Sequence, residues 1–348
     1  MSYKTRLEKY LKDVDYSEGN TSNIWNSLRR DFQNNDSSFR GYGLASISKK
    51  RIAIFRKLSR YLSLPWKAFK FMSNSVSNRM IKTVDRSLSW LVLGDKRAAE
   101  KYGYSDCNLS IYDKSDLVDF ENRYQNYNIG FSHNTFKSFS YLKRLEETIE
   151  LEKNLSIFEI GAGVFNFGHL LSLQLSHFEY VVCDLPEMIA SAFREINEKY
   201  IPNCSGDYEV FLPTEIDKFE MSRSNRKILF IIPEQLKSDC LGQNKRFDLF
   251  VNHESFAEMD IDVVNSYLGY LPKLMKTDSF VFLVNRHTRP QAQTYEQFRK
   301  LNLRGITCFS DYQLEFCSEI LKKEDVFRAS IHGLQMNPNV FYIGKVTD

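Results

Sequence analysis

The chain has 348 residues, 43% of them apolar and 26% charged, which is enough to bury the core of one large domain or two modest ones and too apolar for a disordered chain. Six cysteines, Cys107, Cys183, Cys204, Cys240, Cys308 and Cys317, stand without C-x-x-C spacing, an arrangement that argues against a zinc site and a disulfide framework. No apolar run approaches the length of a membrane span, and residues 1–15 lack the apolar core of a signal peptide. A soluble, cytoplasmic chain with no stable membrane insertion is expected.

Charge is unevenly spread. The net charge is +3, but residues 1–90 hold 18 Lys and Arg against 7 Asp and Glu, or +11, which leaves 3 − 11 = −8 for the rest. A basic lobe beside an acidic one invites a phosphate-bearing partner, and a solvated helical face would look the same. Nothing in the lobe matches a nucleic-acid-binding module, so no nucleic acid is expected as a partner.

In chain order, residues 3–11 read as a short helix, and residues 18–46, rich in Asn, Ser and Gly, as flexible loop. Across 52–72 apolar residues recur at helical spacing among Arg and Lys, with a break at Pro65. Two short helices packing on a larger domain fit this pattern, and so does an interfacial membrane helix. Residues 80–102 are again helical and stop at Gly103, and a further helix starts at Ser115. A helix through Tyr141, Leu142, Leu145 and Ile149 then leads into the next domain. The expected division is a basic, mainly helical region over 1–130 and a second domain over 131–348.

The most informative stretch is 156–186. Residues 157–160 form a short apolar run, followed by Gly161-Ala162-Gly163-Val164-Phe165-Asn166-Phe167-Gly168, an amphipathic segment, a second apolar run to Cys183, and Asp184-Leu185-Pro186. This is a strand, a glycine turn, a helix and a strand ending on an acid. Such a unit carries a nucleoside at the carboxyl end of a parallel sheet, with Asp184 placed to accept both ribose hydroxyls. A dinucleotide site wants a third glycine where Asn166 stands. Glu159, two residues before Gly161, would repel a pyrophosphate and pair with an amino group.

Glu159-Ile160-Gly161-Ala162-Gly163 resembles motif I of the class I S-adenosylmethionine-dependent methyltransferases, with Phe165 where many members have another glycine. Asp184-Leu185-Pro186 resembles the ribose-binding end of their second strand. Together with residues 250–259 and 284–286, the set is similar to a group of bacterial sugar O-methyltransferases associated with capsule, O-antigen and other surface-glycan pathways. That resemblance covers roughly residues 125–348. It implies a carbohydrate acceptor, and the basic lobe then has a use, holding the phosphates of a nucleotide-activated sugar.

Further alternation of helix and strand fits a doubly wound, seven-stranded, Rossmann-like α/β sheet closed by an antiparallel hairpin of residues 325–332 and 340–346. Its polar strand tips are Glu159, Asp184, Glu234-Gln235, His253-Glu254 and Asn285-Arg286. The resemblance assigns the cofactor to Glu159, Gly161, Ala162, Gly163, Asp184, Leu185 and Asn252, with Glu234 or Gln235 at the adenine. Methyl transfer to a hydroxyl needs a base, and His253 is the first candidate and Glu254 the second. Phe131, His133, Tyr141, Asn285 and Arg286 are candidate acceptor contacts. Glu254, Glu258, Asp260, Asp262 and Asn285 would also suffice as oxygen ligands for magnesium, although residues 258–262 read equally as a helix cap. A nicotinamide-dependent enzyme and a non-catalytic phosphate- or membrane-binding module are the competing readings.

Overall fold

The computed structural model describes residues 2–13, 119, 120, 122–124, 127, 133–152, 154–203, 208–238, 240, 241, 246–286, 307, 309–326 and 339–346. The expected loop over 18–46 and the helices over 52–72 and 80–102 lie outside them. The chain divides into two compact units, one of residues 1–39, 141–325 and 337–348 and the other of residues 40–140 and 326–336. In the second, the rings of Phe120 and Tyr124 pack edge-on against Phe139 at 5.2 and 5.9 Å between centroids.

The first unit is built on one sheet. Its strands are β1 (Asn154–Ile160), β2 (His177–Cys183), β3 (Glu209–Phe211), β4 (Arg226–Ile231), β5 (Phe247–His253), β6 (Met275–Arg286), β7 (Cys317–Val326) and β8 (Asn339–Val346), in the order β3-β4-β2-β1-β5-β6-β8-β7. All six from β3 to β6 run parallel, and β8 returns antiparallel to β6. This is a doubly wound, Rossmann-like α/β arrangement closed by an antiparallel strand. It has eight strands where seven were expected, the addition being β3. A three-residue edge strand is too short to show a period, and only its pairing of Val210 with Ile228 reveals it. β7 also starts at Cys317, before the expected 325, and β6 at Met275, before the expected 280.

The sheet positions a site because of its order. After β1 the chain moves to β2, out to the edge at β3 and back to β4, then jumps across β1 to β5. Brackets of this kind leave a crevice at the carboxyl ends of β1 and β5, where the crossovers diverge. The inner strands are apolar on both faces, as parallel strands covered by helices must be. Ile157, Phe158, Ile160, Val181, Val182, Leu249, Phe250 and Val251 are each at most 1% exposed. Burying each such side chain favours folding by roughly 1.5–3 kcal/mol.

Helices cover the faces. α1 (Tyr3–Asp13), α2 (His133–Glu146), α3 (Asn166–Ser172), α4 (Pro186–Glu195), α5 (Ile216–Met221), α6 (Pro233–Lys237) and α7 (Ile261–Leu274) follow the chain. α7 buries Val264, Leu268 and Leu271, an i, i+4, i+7 stripe that makes one apolar face. α1 belongs to this unit. It buries Leu7 and Tyr10, lays the Arg6 guanidinium over the Phe193 ring of α4, pairs Arg6 with Glu215, and donates from Arg6 Nη2 to the Val210 carbonyl of β3 at 2.6 Å.

Candidate active site

The glycine turn begins where β1 ends. Gly161 N–H still donates to Cys183 O at 2.9 Å, extending the ladder by one bond. The chain then bends, with φ of +72° at Gly161 and +60° at Gly163, a region that side-chain-bearing residues enter at a cost. The two glycines are needed for different reasons. A Cβ on Gly161 would lie 2.1 Å from Ser255 Oγ, whereas among the described residues one on Gly163 would meet only Met188 Cε, at 4.0 Å. Gly161 therefore permits contact with the loop after β5, and Gly163 leaves an open cradle. Ala162 between them is 8% exposed.

Phe165 departs from the glycine pattern and still adopts φ +66°. Holding a left-handed residue with a side chain costs about 1–2 kcal/mol, offset here by burial. Its ring is 0% exposed and packs edge-on against Tyr180 at 4.9 Å. Gly168, one turn into α3, makes room, since a Cβ there would fall 2.2 Å from the Phe165 ring. The missing glycine of the motif is in effect displaced by three residues.

Asp184 stands at the tip of β2. Its Oδ2 accepts the Gly163 N–H at 2.9 Å and its Oδ1 the Leu185 N–H at 2.8 Å, so the carboxylate holds the glycine turn and the start of α4 together. Each oxygen retains a second lone pair for a hydroxyl donor. Burial pushes the carboxyl up to about 7, against the pull of the two backbone N–H groups, with Glu187 and Glu258 adding to the rise.

Three neighbouring strands contribute the second cluster. Glu159 is paired with Val182 on β2 and Val251 on β5, and strand alternation puts Tyr180 and His253, two residues from those partners, on the same face. Tyr180 Oη donates to Glu159 Oε2 at 2.8 Å. His253 Nε2 lies 3.3 Å from Glu159 Oε1. Glu159 itself is 0% exposed. Its burial pushes the carboxyl up to about 8, opposed by the Tyr180 bond and reinforced by Asp184. The His253 ring takes the edge of Phe167 at 4.9 Å and sits 6.2 Å from the Tyr141 ring.

Glu254 follows His253 with φ +68°, an uncommon conformation for a carboxylate side chain. Its N–H donates to Val284 O at 2.7 Å. Its Oε1 accepts from Tyr141 Oη at 3.1 Å and from Asn339 Nδ2 at 3.5 Å. Beneath it, Asn252 Nδ2 donates to Ile160 O at 2.7 Å and to Ser255 Oγ at 2.5 Å, and Asn252 Oδ1 accepts from Asn285 Nδ2 at 2.9 Å. Asn252 and Asn285 are both 0% exposed. This amide pair ties together the ends of β1, β5 and β6.

Of the residues singled out from the sequence, Glu159, Gly161, Ala162, Gly163, Asp184, Tyr141, Asn252, His253, Glu254 and Asn285 come to the carboxyl ends of the central strands. Leu185 is there as the residue before α4. Gln235 is spent on structure, accepting Ile232 N–H at 3.0 Å and donating to Pro213 O at 2.8 Å, while Glu234 is exposed on the first turn of α6. Phe131 lies outside the described residues, as do the side chains of His133, on α2, and Arg286, on β6. Tyr180, Ser255, Phe167 and Asn339 were not anticipated. Among the described residues no three His, Cys, Asp or Glu side chains come together to hold a metal ion, and Asp260 stands just before the first turn of α7. No helix among them is long and apolar enough to cross a membrane, and Cys183, Cys240 and Cys317 are free thiols.

No family model matches the chain, and no curated protein does. Among solved structures it is similar to an S-adenosylmethionine-dependent methyltransferase from Methanosarcina mazei, at 14% identity over 59% of this chain and 97% of that one, with a TM-score of 0.40. It is similar also to an N-methyltransferase from Bradyrhizobium japonicum WM9, at 12% identity over 62% and 99%, TM-score 0.39. A third is magnesium protoporphyrin IX methyltransferase from Synechocystis PCC 6803 with bound SAH, at 10% identity over 67% and 95%, TM-score 0.40.

Proposed function

We propose that the chain is an S-adenosylmethionine-dependent O-methyltransferase acting on a sugar hydroxyl, carried on a nucleotide or a surface glycan. The observation that supports it most is Asp184, a carboxylate at the tip of the second strand that grips the glycine turn while keeping acceptor capacity for a ribose diol. Gly163 supports it as well, because a Cβ there would fill a cradle where, among the described residues, it would meet only Met188 Cε. When bound, S-adenosylmethionine supplies a methyl group on a sulfonium centre that a nucleophile displaces in line.

Asp184 would hold the ribose, and the Gly161–Gly163 backbone would pass beneath the nucleoside. Near the same strand ends, His253 is the group suited to take the proton of a weakly acidic hydroxyl, worth roughly 10²–10⁴-fold in rate. Glu254 is fixed by Tyr141 and Asn339 next to it and is suited to orient the acceptor. Alignment of nucleophile and methyl group would supply the larger share, up to about 7–11 kcal/mol. The sugar acceptor rests on the resemblance in residues 250–259 and 284–286, and the basic first lobe suits a phosphate-bearing carrier.

Calorimetry with S-adenosylhomocysteine, the demethylated product, tests the cofactor. Two charge-assisted bonds at roughly 1.5–3 kcal/mol each predict that Asp184→Asn weakens binding by at least about 100-fold. Wild-type protein that binds NADH and ignores the adenosyl ligand would refute the proposal. Incubation with S-adenosylmethionine and a panel of nucleotide sugars, read by mass spectrometry for a methylated product, tests the acceptor.

A further inference from the structure

We infer that Glu159 is a positioning residue for His253, and that Tyr180, Glu159 and His253 form one buried chain across β2, β1 and β5 that sets the orientation of the imidazole. The role of His253 in chemistry rests on the methyltransferase reading; the chain itself rests on geometry. Motif position made Glu159 a partner for the amino group of a ligand. Its surroundings point elsewhere, because the residue is 0% exposed and one oxygen already accepts the Tyr180 hydroxyl.

The other oxygen, Oε1, has no hydrogen bond among the described residues and faces His253 Nε2 at 3.3 Å. A carboxylate left buried without a proton or a cation beside it is strongly disfavoured. The imidazole meets that need in either of two ways: the acid keeps its proton and donates to Nε2, or it is ionised and accepts from Nε2–H, the form that leaves the Nδ1 lone pair open to a hydroxyl proton. The pair then holds one proton between two groups and titrates as a unit. In both forms Nε2 is turned into the sheet, toward Glu159. Phe167 packs edge-on against the ring at 4.9 Å and the Tyr141 ring stands 6.2 Å away at a 38° tilt, so rotation away is opposed by the Phe167 packing as well as by the lost contact. Among the described residues, the other ionisable groups around the pair are Asp184, which disfavours charge on Glu159, Tyr180 on β2, and Glu254 with Tyr141 beside the ring.

The experiment titrates ¹⁵N-histidine-labelled protein by NMR, with His253→Gln identifying the resonance, in wild type, Glu159→Gln and Tyr180→Phe. Affinity for S-adenosylhomocysteine is measured on the same samples. A carboxylate partner shifts an ionisable neighbour by about 1–3 pH units, so the last proton of the pair leaves at least one unit higher in wild type than in Glu159→Gln. Affinity for S-adenosylhomocysteine changes by less than about threefold in that variant. Tyr180→Phe keeps the carboxylate and removes its donor, and the step moves further up. A step that stays in place in both variants, or ligand binding lost with the carboxylate, overturns the inference. Should Glu159→Gln fail to fold, the direction of the Tyr180→Phe shift decides. If wild-type protein binds no S-adenosylhomocysteine, the methyltransferase reading falls, and the histidine spectra still decide whether Glu159 governs His253.

Discussion

Gly161→Ala and Gly163→Ala place the same methyl group at two left-handed positions, and the structure separates their costs. Both pay for φ, at +72° and +60°, roughly 1–2 kcal/mol for a residue with a Cβ. Only Gly161→Ala adds a collision, with Ser255 Oγ at 2.1 Å and Ser255 Cβ at 2.4 Å. Ser255 cannot swing aside freely, since its Oγ donates to Ile160 O at 3.2 Å and accepts from Asn252. Overpacking of this kind costs a further 1–3 kcal/mol or so. The expected losses in urea unfolding are therefore about 1–2 kcal/mol for Gly163→Ala and about 2–5 kcal/mol for Gly161→Ala. Ser255→Gly removes both colliding atoms, so the Gly161→Ala/Ser255→Gly pair should be less destabilised than the sum of its parts. Equal losses at the two glycines, or strict additivity in the double variant, would show that the turn does not touch the loop after β5.

Two predictions concern pH. Glu159 has a folded value of about 8 against 4.5 when unfolded, so between these values the folded state holds the extra proton and stability falls as pH rises. Over 8 − 4.5 = 3.5 units, at about 1.4 kcal/mol per unit, the loss is about 5 kcal/mol at most. Glu159→Gln cannot titrate, and its stability should drop less between pH 5 and pH 8 in denaturant titrations; parallel curves would remove the assignment. Asp184 offers all of its lone pairs to hydroxyl donors only when ionised, and its value of about 7 predicts that affinity for S-adenosylhomocysteine falls as pH drops, by up to about tenfold from pH 8 to pH 6. An affinity that does not change across that interval would mean that the acid lies outside the ligand's reach.

What could be read from the residues was whatever the chain settles locally. β1, β2, β4 and β5 are apolar runs closed by glycine, by proline or by an acid, and the turn, Gly161, Gly163 and Asp184 follow one another within a single strand-turn-helix-strand unit. β3 could not be read, because three residues carry no period and their pairing partner lies across α5. Tyr180 and Ser255 were equally hidden. Each meets its partner only through the register of three parallel strands, as when Tyr180 reaches Glu159 two residues up the neighbouring strand. That Glu159 is an acid was legible, and the burial that keeps its proton on was not. Gln235 did leave a trace: a glutamine three residues after Ile232, with proline opening the helix, is a helix-start pattern, and its side chain is used for that start.

The grip of α1 on the far side of the sheet has a practical corollary. β3 is an outermost strand, and open strand edges are templates for unwanted association. The Arg6 guanidinium occupies the Val210 carbonyl there. The residues of α1 thus act as a clasp on the margin of the fold, and a substitution that loosens them would first be felt as self-association, well away from any bound nucleoside.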